Sequence, residues 1–365
     1  MRVLILSANT GGGHNSTANA LSQRLEHYNI EFEVADTLAF ISEQVSDFVS
    51  WGHSYVYRKM PKLFGFGYRF EEKHSGRILY NGCAKGADAL YRHLQEGNFD
   101  AVLCVHVFSG LMMTKVRAKF GCNLPCYFIA TDYTCSPGVA DMKLDGYFIP
   151  HRMLLGEFVH KGVPADQLFP TGIPVGGDFF EAVDKTEARS RLGLPEDKKV
   201  VLLSCGSMGC GKLEQSARLL SQRCPENVCL VVLCGKNEKA YEILSPYSSE
   251  RFVVLSFIQG VADYMSAADA YITKPGGLTT TEAIAKRLPM VLINAVPGCE
   301  TRNYDFLVEQ GVAIGAKRWR HVNNALMQLL GNEAYQQEQK DKMAAFLSQP
   351  AADAICRHLL HSQTK

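Results

Sequence analysis

The sequence predicts an α/β protein with two doubly wound parallel-sheet domains that face a shared central cleft. Apolar, strand-like runs alternate with helical patterns along the whole chain, as in parallel sheets built from βαβ units. A length of 365 residues suits two such domains better than one. Residues 3–14 and 200–211 each show a strand that runs into a Gly-rich loop before a helix. Because open α/β sheets bind ligands at the carboxyl ends of their strands, we expect both loops to line the cleft.

The strand-like runs give the elements of the two predicted sheets in order. In the first half they are Val3–Ser7, Glu31–Ala35, Ala101–Val105, Cys126–Ala130 and Gly146–Ile149. In the second half they are Val200–Ser204, Val228–Leu233, Phe252–Leu255, Ala270–Ile272 and Met290–Ile293. The segment from Gly172 to Asp184 begins Gly-Ile-Pro-Val-Gly-Gly, which is typical of a hinge. We therefore expect domains over residues 1–172 and 185–348, a hinge over 173–184 and a terminal helix within 349–365.

Composition excludes several classes of protein. Hydrophobic residues make up 47% and charged residues 21%, as in an ordinary globular chain, and a net charge of +1 gives no overall electrostatic case for binding nucleic acid. The 12 cysteines are scattered without metal-ligand spacing, which indicates reduced thiols in the cytoplasm and no metal site. No apolar run approaches the roughly 18 residues of a membrane-spanning helix, so we expect any membrane contact to be peripheral.

The segment 270–285 is the most informative for function. A strand-like run ends at Thr273, two glycines form a turn, and a helix with a Thr-rich first turn follows. The amides and the positive dipole at such a helix start favour a diphosphate, and glycine allows it to approach closely. Glu282, about one and a half turns into the helix, could accept both ribose hydroxyls. The alternative is an ordinary strand-to-helix turn. The predicted donor-binding residues here are Pro275, Gly276, Gly277, Leu278, Thr279 and Glu282.

A second Gly-rich loop, residues 206–213, nearly matches the phosphate loop G-x-x-x-x-G-K-[ST]. Leu213 stands where that motif needs the hydroxyl that binds Mg²⁺, which argues against a nucleoside triphosphatase. The loop could instead donate amides to a phosphate or to the transferring group, or be a structural turn. Its predicted donor-binding residues are Gly206, Ser207, Met208 and Gly209.

Polar residues in the first half suggest the catalytic chemistry. His14 follows a run of glycines at a helix start, where its imidazole could take a proton from a hydroxyl at neutral pH, unless it simply faces solvent. His106 and Asp132 each follow a buried strand and should point into the crevice, although each alone could be structural. We therefore predict His14 and Asp132 as catalytic. Acceptor contacts are predicted at Gly12, Gly13, His106 and Tyr133.

Residues 51–92 differ from the rest of the chain, with eight basic residues against three acidic ones and with interleaved aromatics. This composition suits the headgroup region of an anionic membrane. Single-stranded nucleic acid would also favour it, but the near-neutral chain argues against that partner. The alternative is a solvated helix pair with an aromatic core. The predicted membrane-contact residues are Trp51, Arg58, Lys59, Lys62, Phe64, Phe66 and Arg69.

A final pair, Glu300 and Asn303, lies three residues apart on one helical face after the strand at 290–293. Such a pair could bind sugar hydroxyls. The alternative is a capping carboxylate in a first helical turn.

The motifs together resemble the monogalactosyldiacylglycerol synthase family, which includes processive diacylglycerol glucosyltransferases and is distantly related to murein N-acetylglucosaminyltransferase. The ordered set covers about residues 1–345 and comprises GGGH, TDY, GIPV, SMGxG, CGKN, ITKPGGLTTTEA and PGxExxN. The resemblance implies a GT-B fold, a UDP-sugar donor in the C-terminal domain and a lipid acceptor at the N-terminal domain.

Carried over residue by residue, the resemblance implies that His14 is the base on the acceptor hydroxyl and Glu282 the ribose ligand. It implies that Gly276–Thr279 bind the diphosphate, that the backbone of Phe257 and Ile258 holds uracil, and that Glu300 and Asn303 contact the donor sugar. Cys299 stands where many members have Gln, and Ser136 where some have a further His, so the hexose and the acceptor contacts stay open.

We therefore predict a glycosyltransferase that moves glucose or galactose from a UDP-sugar to diacylglycerol or a related lipid. It would need no obligatory metal or cofactor and would bind the inner face of the plasma membrane from the cytoplasm. The alternatives are a UDP-sugar 2-epimerase, N-acetylglucosaminyl transfer to a lipid-linked acceptor, and a non-enzymatic UDP-sugar sensor.

Overall fold

The apolar runs form two six-stranded parallel sheets, and each sheet is the centre of one structural unit. A computed structural model of the protein describes residues 1–9, 12–73 and 81–362. Within these ranges the backbone alone is described for Ser50, His53, Ser54, Tyr57, Arg58, Lys59, Lys73 and Trp319. Unit 1 comprises Met1–Gly177, Pro297–Cys299 and Gln349–Lys365, and unit 2 comprises Asp178–Val296 and Glu300–Ser348.

The sheet of unit 1 has the strand order β2-β1-β3-β4-β5-β6. Its strands are β1 (Arg2–Ser7), β2 (Glu31–Asp36), β3 (Ala101–Cys104), β4 (Cys126–Ile129), β5 (Gly146–Ile149) and β6 (Leu168–Pro170). The intervening helices are α1 (Gly12–His27), α2 (Glu43–Lys59), α3 (Pro61–Lys73), α4 (Ala87–Gly97), α5 (Val107–Phe120) and α6 (Leu155–His160). The central strands are buried throughout, as expected where helices cover both faces of a parallel sheet.

The sheet of unit 2 has the order β12-β11-β10-β7-β8-β9. Its strands are β7 (Lys199–Ser204), β8 (Val228–Leu233), β9 (Phe252–Leu255), β10 (Ala270–Thr273), β11 (Met290–Leu292) and β12 (Ile314–Gly315). Its helices are α7 (Lys185–Leu192), α8 (Leu213–Arg223), α9 (Glu238–Leu244), α10 (Val261–Ala267), α11 (Gly277–Ala285), α12 (Cys299–Glu309), α13 (Trp319–Gly331) and α14 (Glu333–Phe346).

A last helix, α15 (Ala351–Ser362), completes the core of unit 1. Its apolar face is buried together with α1 and the sheet. Asp353 on this helix accepts hydrogen bonds from Arg24 of α1 and from Tyr28, the residue that follows α1. The ring of His358 lies 4.3 Å from that of Phe169, centroid to centroid. The amphipathic pattern at the end of the chain thus reflects packing on the other end of the sequence.

The predicted fold class is confirmed, since both sheets are parallel and doubly wound. Two short strands, β6 and β12, were not predicted. Both lie at the edge of their sheet and lack the apolar run by which the central strands are recognised.

The strand orders place one switch point in each sheet, where successive connections turn in opposite directions. It lies between β1 and β3 in unit 1 and between β7 and β10 in unit 2. Such a point leaves a crevice at the carboxyl ends of the strands. The loops after these strands lead to His14 and His106 in unit 1, and to Gly206 and Gly276 in unit 2.

Candidate active site

The turn after β10 presents the start of α11 at the switch point of unit 2. Gly276 is the N-cap of this helix, and the first helical hydrogen bond runs from the Thr280 amide to the Gly276 carbonyl, 3.1 Å. The amides of Gly277, Leu278 and Thr279 precede that bond and therefore have no carbonyl partner within the helix. This geometry is suited to an anion.

Three buried side chains support the turn from within. The Asn303 side-chain amide donates to the Pro275 carbonyl at 3.0 Å. Glu300 accepts from the Val296 amide at 2.9 Å through one carboxylate oxygen and from Lys274 Nζ at 2.8 Å through the other. Lys274, Glu300 and Asn303 are 8%, 3% and 0% exposed. The residues predicted to contact the donor sugar therefore lie beneath the turn, and Lys274 is a residue that the sequence reasoning missed. Its only signal was a cation directly before Pro-Gly-Gly.

The second loop, after β7, interlocks with the Cys-Gly-Lys-Asn segment at 234–237. Gly209 has a φ of +56°, and a Cβ there would lie 2.1 Å from the Cys234 carbonyl oxygen. Gly235 approaches the Ser207 carbonyl in the same way, and the Lys236 amide donates to that oxygen at 2.8 Å. Only glycine fits at both positions, so the two segments pack against each other as one unit. Met208 lies within the same turn.

The loop after β7 also reaches the turn after β10. A Cβ on Gly206 would come within 3.0 Å of Lys274 Cε, and one on Gly276 would lie 3.8 Å from Glu300 Oε1. Lys274 and Glu300 therefore lie where the two loops predicted to bind the diphosphate meet.

Glu282 lies half-buried on α11. Burial, and to a smaller extent the nearby Asp178 carboxylate, raises the pKa of Glu282 to about 7. A carboxyl group in this condition gains from a ligand that donates hydrogen bonds to it. Phe257 and Ile258 follow β9 at the same edge of the sheet, and the Phe257 side chain is 53% exposed.

In unit 1 the structure brings His14 and His106 together. His14 Nδ1 lies 2.8 Å from the Val105 carbonyl oxygen, and the two imidazole centroids are 4.4 Å apart. Since a carbonyl accepts, Nδ1 carries the proton and Nε2 has the lone pair. Burial lowers the pKa of His14 to about 4, with the Val105 contact acting in the opposite direction. His14 is therefore neutral near pH 7, the form that a general base requires.

The other predicted polar residues of unit 1 occupy varied positions. His106 is the N-cap of α5 and accepts from the Phe108 amide at 3.0 Å. Tyr133 is only 2% exposed. Asp132 is half-buried and lies near Tyr68 of α3, whose pKa is raised by burial and then by Cys299, Asp132 and Glu72. Gly12 and Gly13 form the first turn of α1.

Helices α2 and α3 expose a broad apolar face. Its exposed side chains are Phe48, Trp51, Tyr55, Met60, Leu63, Phe66 and Phe70, with Phe48, Trp51 and Phe66 each more than 60% exposed. Lys62 and Arg69 are exposed on the same helix pair, and Phe64 is half-buried. The predicted contacts Arg58 and Lys59 have side chains outside the described part of the structure. Of the interleaved aromatics, Trp51, Tyr55, Phe66 and Phe70 are exposed whereas Phe64 and Tyr68 are half-buried. An exposed apolar patch of this kind favours an interaction surface over a purely aromatic core.

The opposite side of α3 packs closely against residues 297–298, which belong to unit 1. A Cβ on Gly65 would lie 2.4 Å from Pro297 Cβ, and one on Gly298 would lie 3.2 Å from the Tyr68 ring. One side of α3 is thus fixed and the other exposed.

None of the helices in the described ranges has the length and apolarity needed to cross a bilayer. Within residues 1–9, 12–73 and 81–362, no group of three or more His, Cys, Asp or Glu side chains is placed to hold a metal ion.

Comparison with known proteins agrees with the resemblance seen in the motifs. Residues 14–175 match the family model of monogalactosyldiacylglycerol synthase, and residues 200–357 match that of the glycosyltransferase family 28 C-terminal domain. The chain is 26% identical to a processive diacylglycerol beta-glucosyltransferase of Bacillus licheniformis, over 98% of this chain and 94% of that protein.

Solved structures share the fold at low sequence identity. MurG of Acinetobacter baumannii has a TM-score of 0.65 and 16% identity, with 99% of each chain covered. A UDP-GlcNAc 2-epimerase of Neisseria meningitidis has a TM-score of 0.62 and 14% identity, over 99% of this chain and 100% of that one. These likenesses establish the fold alone, and the predicted GT-B fold is confirmed.

Proposed function

We propose that this chain, whose two halves carry the domains of the monogalactosyldiacylglycerol synthase family and of glycosyltransferase family 28, transfers a hexose from a UDP-sugar to diacylglycerol. The hexose we propose is glucose, because the Bacillus licheniformis relative is named for that transfer and matches almost the full length. The observation that carries the proposal is the pair of switch points, one with a neutral imidazole and the other with a helix start suited to a diphosphate.

In the proposed reaction, His14 Nε2 takes the proton of the acceptor hydroxyl as its oxygen attacks C1 of the sugar. The bond between C1 and the diphosphate oxygen breaks, and UDP departs with the bonding electrons. The amides at 277–279 stabilise the negative charge that develops on the diphosphate. Glu282 holds the ribose hydroxyls, and the backbone at 257–258 holds uracil.

The exposed face of α2 and α3 supports a membrane-bound acceptor. Diacylglycerol resides in a bilayer, so the enzyme must reach the interface to find it. Phe66 and Trp51 would enter the interface while Lys62 and Arg69 approach anionic headgroups. We propose peripheral binding to the inner face of the plasma membrane on this basis.

The test is an assay of purified protein with labelled UDP-glucose, UDP-galactose or UDP-GlcNAc and phosphatidylglycerol vesicles that contain dioleoylglycerol. We expect UDP release and labelled glucosyl lipid, and His14→Ala protein serves as the control for a contaminating activity. Conversion of UDP-GlcNAc to its 2-epimer without lipid would support the epimerase instead. UDP-sugar binding without UDP release for any acceptor would support a sensor.

A further inference from the structure

We propose that Lys274 supplies a positive charge to the donor diphosphate, and that Glu300 is a positioning residue for Lys274 rather than a ligand of the donor sugar. The inference rests on the proposed donor site in unit 2.

The geometry of Glu300 argues against sugar binding. Its two carboxylate oxygens accept from Lys274 Nζ and from the Val296 amide, at 2.8 and 2.9 Å. The residue is 3% exposed, so hydroxyl groups of a substrate would have to displace buried partners to reach it. Asn303, at 0% exposure, is likewise engaged with the Pro275 carbonyl. Both residues hold the turn from beneath.

The position of Lys274 points to an anion. Its stem lies against Gly206, while its partner Glu300 lies beside Gly276, so the ion pair lies between the two Gly-rich loops at the switch point. Burial opposes a charge on Lys274, but pairing with Glu300 outweighs this and raises the pKa of the lysine. Burial raises the pKa of the neighbouring Cys205 thiol to about 12, so that thiol is neutral near pH 7.

Burying an ion pair in a core carries a large desolvation penalty. Replacement of such pairs by apolar residues of similar volume is often neutral or stabilising, so stability alone does not account for this one. A diphosphate ester carries two negative charges and gains more as the glycosyl bond breaks. A helix start offers about half an elementary charge. A full cation beside the same turn adds to that stabilisation, and Glu300 keeps the cation in place when the donor is absent.

The experiment compares UDP with uridine, which lacks the diphosphate, by titration calorimetry. Lys274→Met should weaken UDP binding about 10- to 100-fold, on the scale of a charged hydrogen bond, and leave uridine affinity unchanged. Lys342→Met, at an exposed lysine of the same unit, is the matched control and should alter neither. If the single variant does not fold, Lys274→Met/Glu300→Leu removes both buried charges and should show the same loss for UDP alone.

Glu300→Gln separates the two roles of the carboxylate. A positioning residue predicts equal losses for UDP and UDP-glucose, whereas a sugar ligand predicts a loss for UDP-glucose alone. The second pattern, or UDP affinity within twofold of wild type in a folded variant that lacks Lys274, would overturn the inference. Failure of the wild-type protein to bind UDP would contradict the proposed function itself, which is a different result.

Discussion

The switch points of units 1 and 2 have the same topology but carry different kinds of side chains. In unit 1 the loops after β1 and β3 bring together two imidazoles, and His14 is kept neutral by burial. In unit 2 the loops after β7 and β10 enclose a buried ion pair and a helix start. The fold supplies the crevice, and the first few residues after each strand decide whether it suits a proton transfer or an anion. Four experiments test this contrast.

The largest effect is expected at His14, the proposed base. His14→Ala should lower turnover about 10²- to 10⁴-fold, because proton transfer from the acceptor is lost, and should leave UDP affinity near wild type. Steady-state kinetics and calorimetry on the same preparation measure both quantities. Near-normal turnover would make His14 structural and would direct attention to Asp132.

A smaller effect is expected at Glu282, the proposed ribose ligand. Glu282→Ala should weaken UDP binding about 10- to 100-fold, the range for a hydrogen bond to a charged group. Glu309→Ala, at an exposed glutamate of α12, is the control and should bind UDP normally. Unchanged UDP affinity in the Glu282 variant would remove this residue from the nucleotide site.

The next effect concerns the predicted membrane contact of α2 and α3. Lys62→Ser/Arg69→Ser should lower affinity for phosphatidylglycerol vesicles about 30-fold, since each basic residue near the surface contributes about 1 kcal/mol. Binding should also weaken with salt, because exposed charges are screened over about 8–10 Å. Flotation measures this, with Lys239→Ser/Lys342→Ser as an equally charged control. Equal flotation of the two variants would mean that α2 and α3 do not bind anionic lipid through these cations.

The smallest effect is on pH dependence, and it distinguishes the two switch points directly. If only ionised Glu282 holds the ribose, UDP affinity should rise about tenfold between pH 6 and pH 8, since the pKa of Glu282 is raised to about 7. Glu282→Gln should lack this part of the profile, whereas titration of UDP itself remains. Turnover with bound donor should keep its base until the pH approaches 4, because the pKa of His14 is lowered to about 4. A profile of UDP binding that is the same in both proteins would contradict the assignment.

The pKa shifts of Glu282 and His14 change the free energy of unfolding with pH in opposite directions. The raised pKa of Glu282 means that folded protein binds this proton more tightly than unfolded protein does. Its contribution to the free energy of unfolding is therefore complete below pH about 4.5 and is lost as the pH rises through 7. The lowered pKa of His14 acts in reverse, so that its contribution is lost as the pH falls from 6.5 to 4.

The sequence predicted what depends on local pattern. Continuous apolar runs such as Val228–Leu233 identify buried strands, and glycines before a helix identify loops that approach a ligand. Contacts between distant residues were not predictable in this way. Lys274 becomes a buried cation only because the fold brings Glu300, 26 residues later, within hydrogen-bond distance. Basic and aromatic composition identified residues 51–92 as unusual, but packing of α3 on residues 297–298 decides which face of that helix is exposed.

The return of the chain to unit 1 has a consequence for synthesis. Unit 2 ends at Ser348, whereas the core of unit 1 needs Ile355 and Leu359 of α15 against Leu21 and Leu25 of α1. The half that is made first should therefore be unable to complete its core until the chain is released and α15 is free to pack, which leaves an apolar face open until then. A chain that is truncated after residue 348 and released from the ribosome should show a protease-resistant unit 2 beside a protease-sensitive unit 1. His14, the proposed base, would thus be held in a stable unit only after the whole chain has been made.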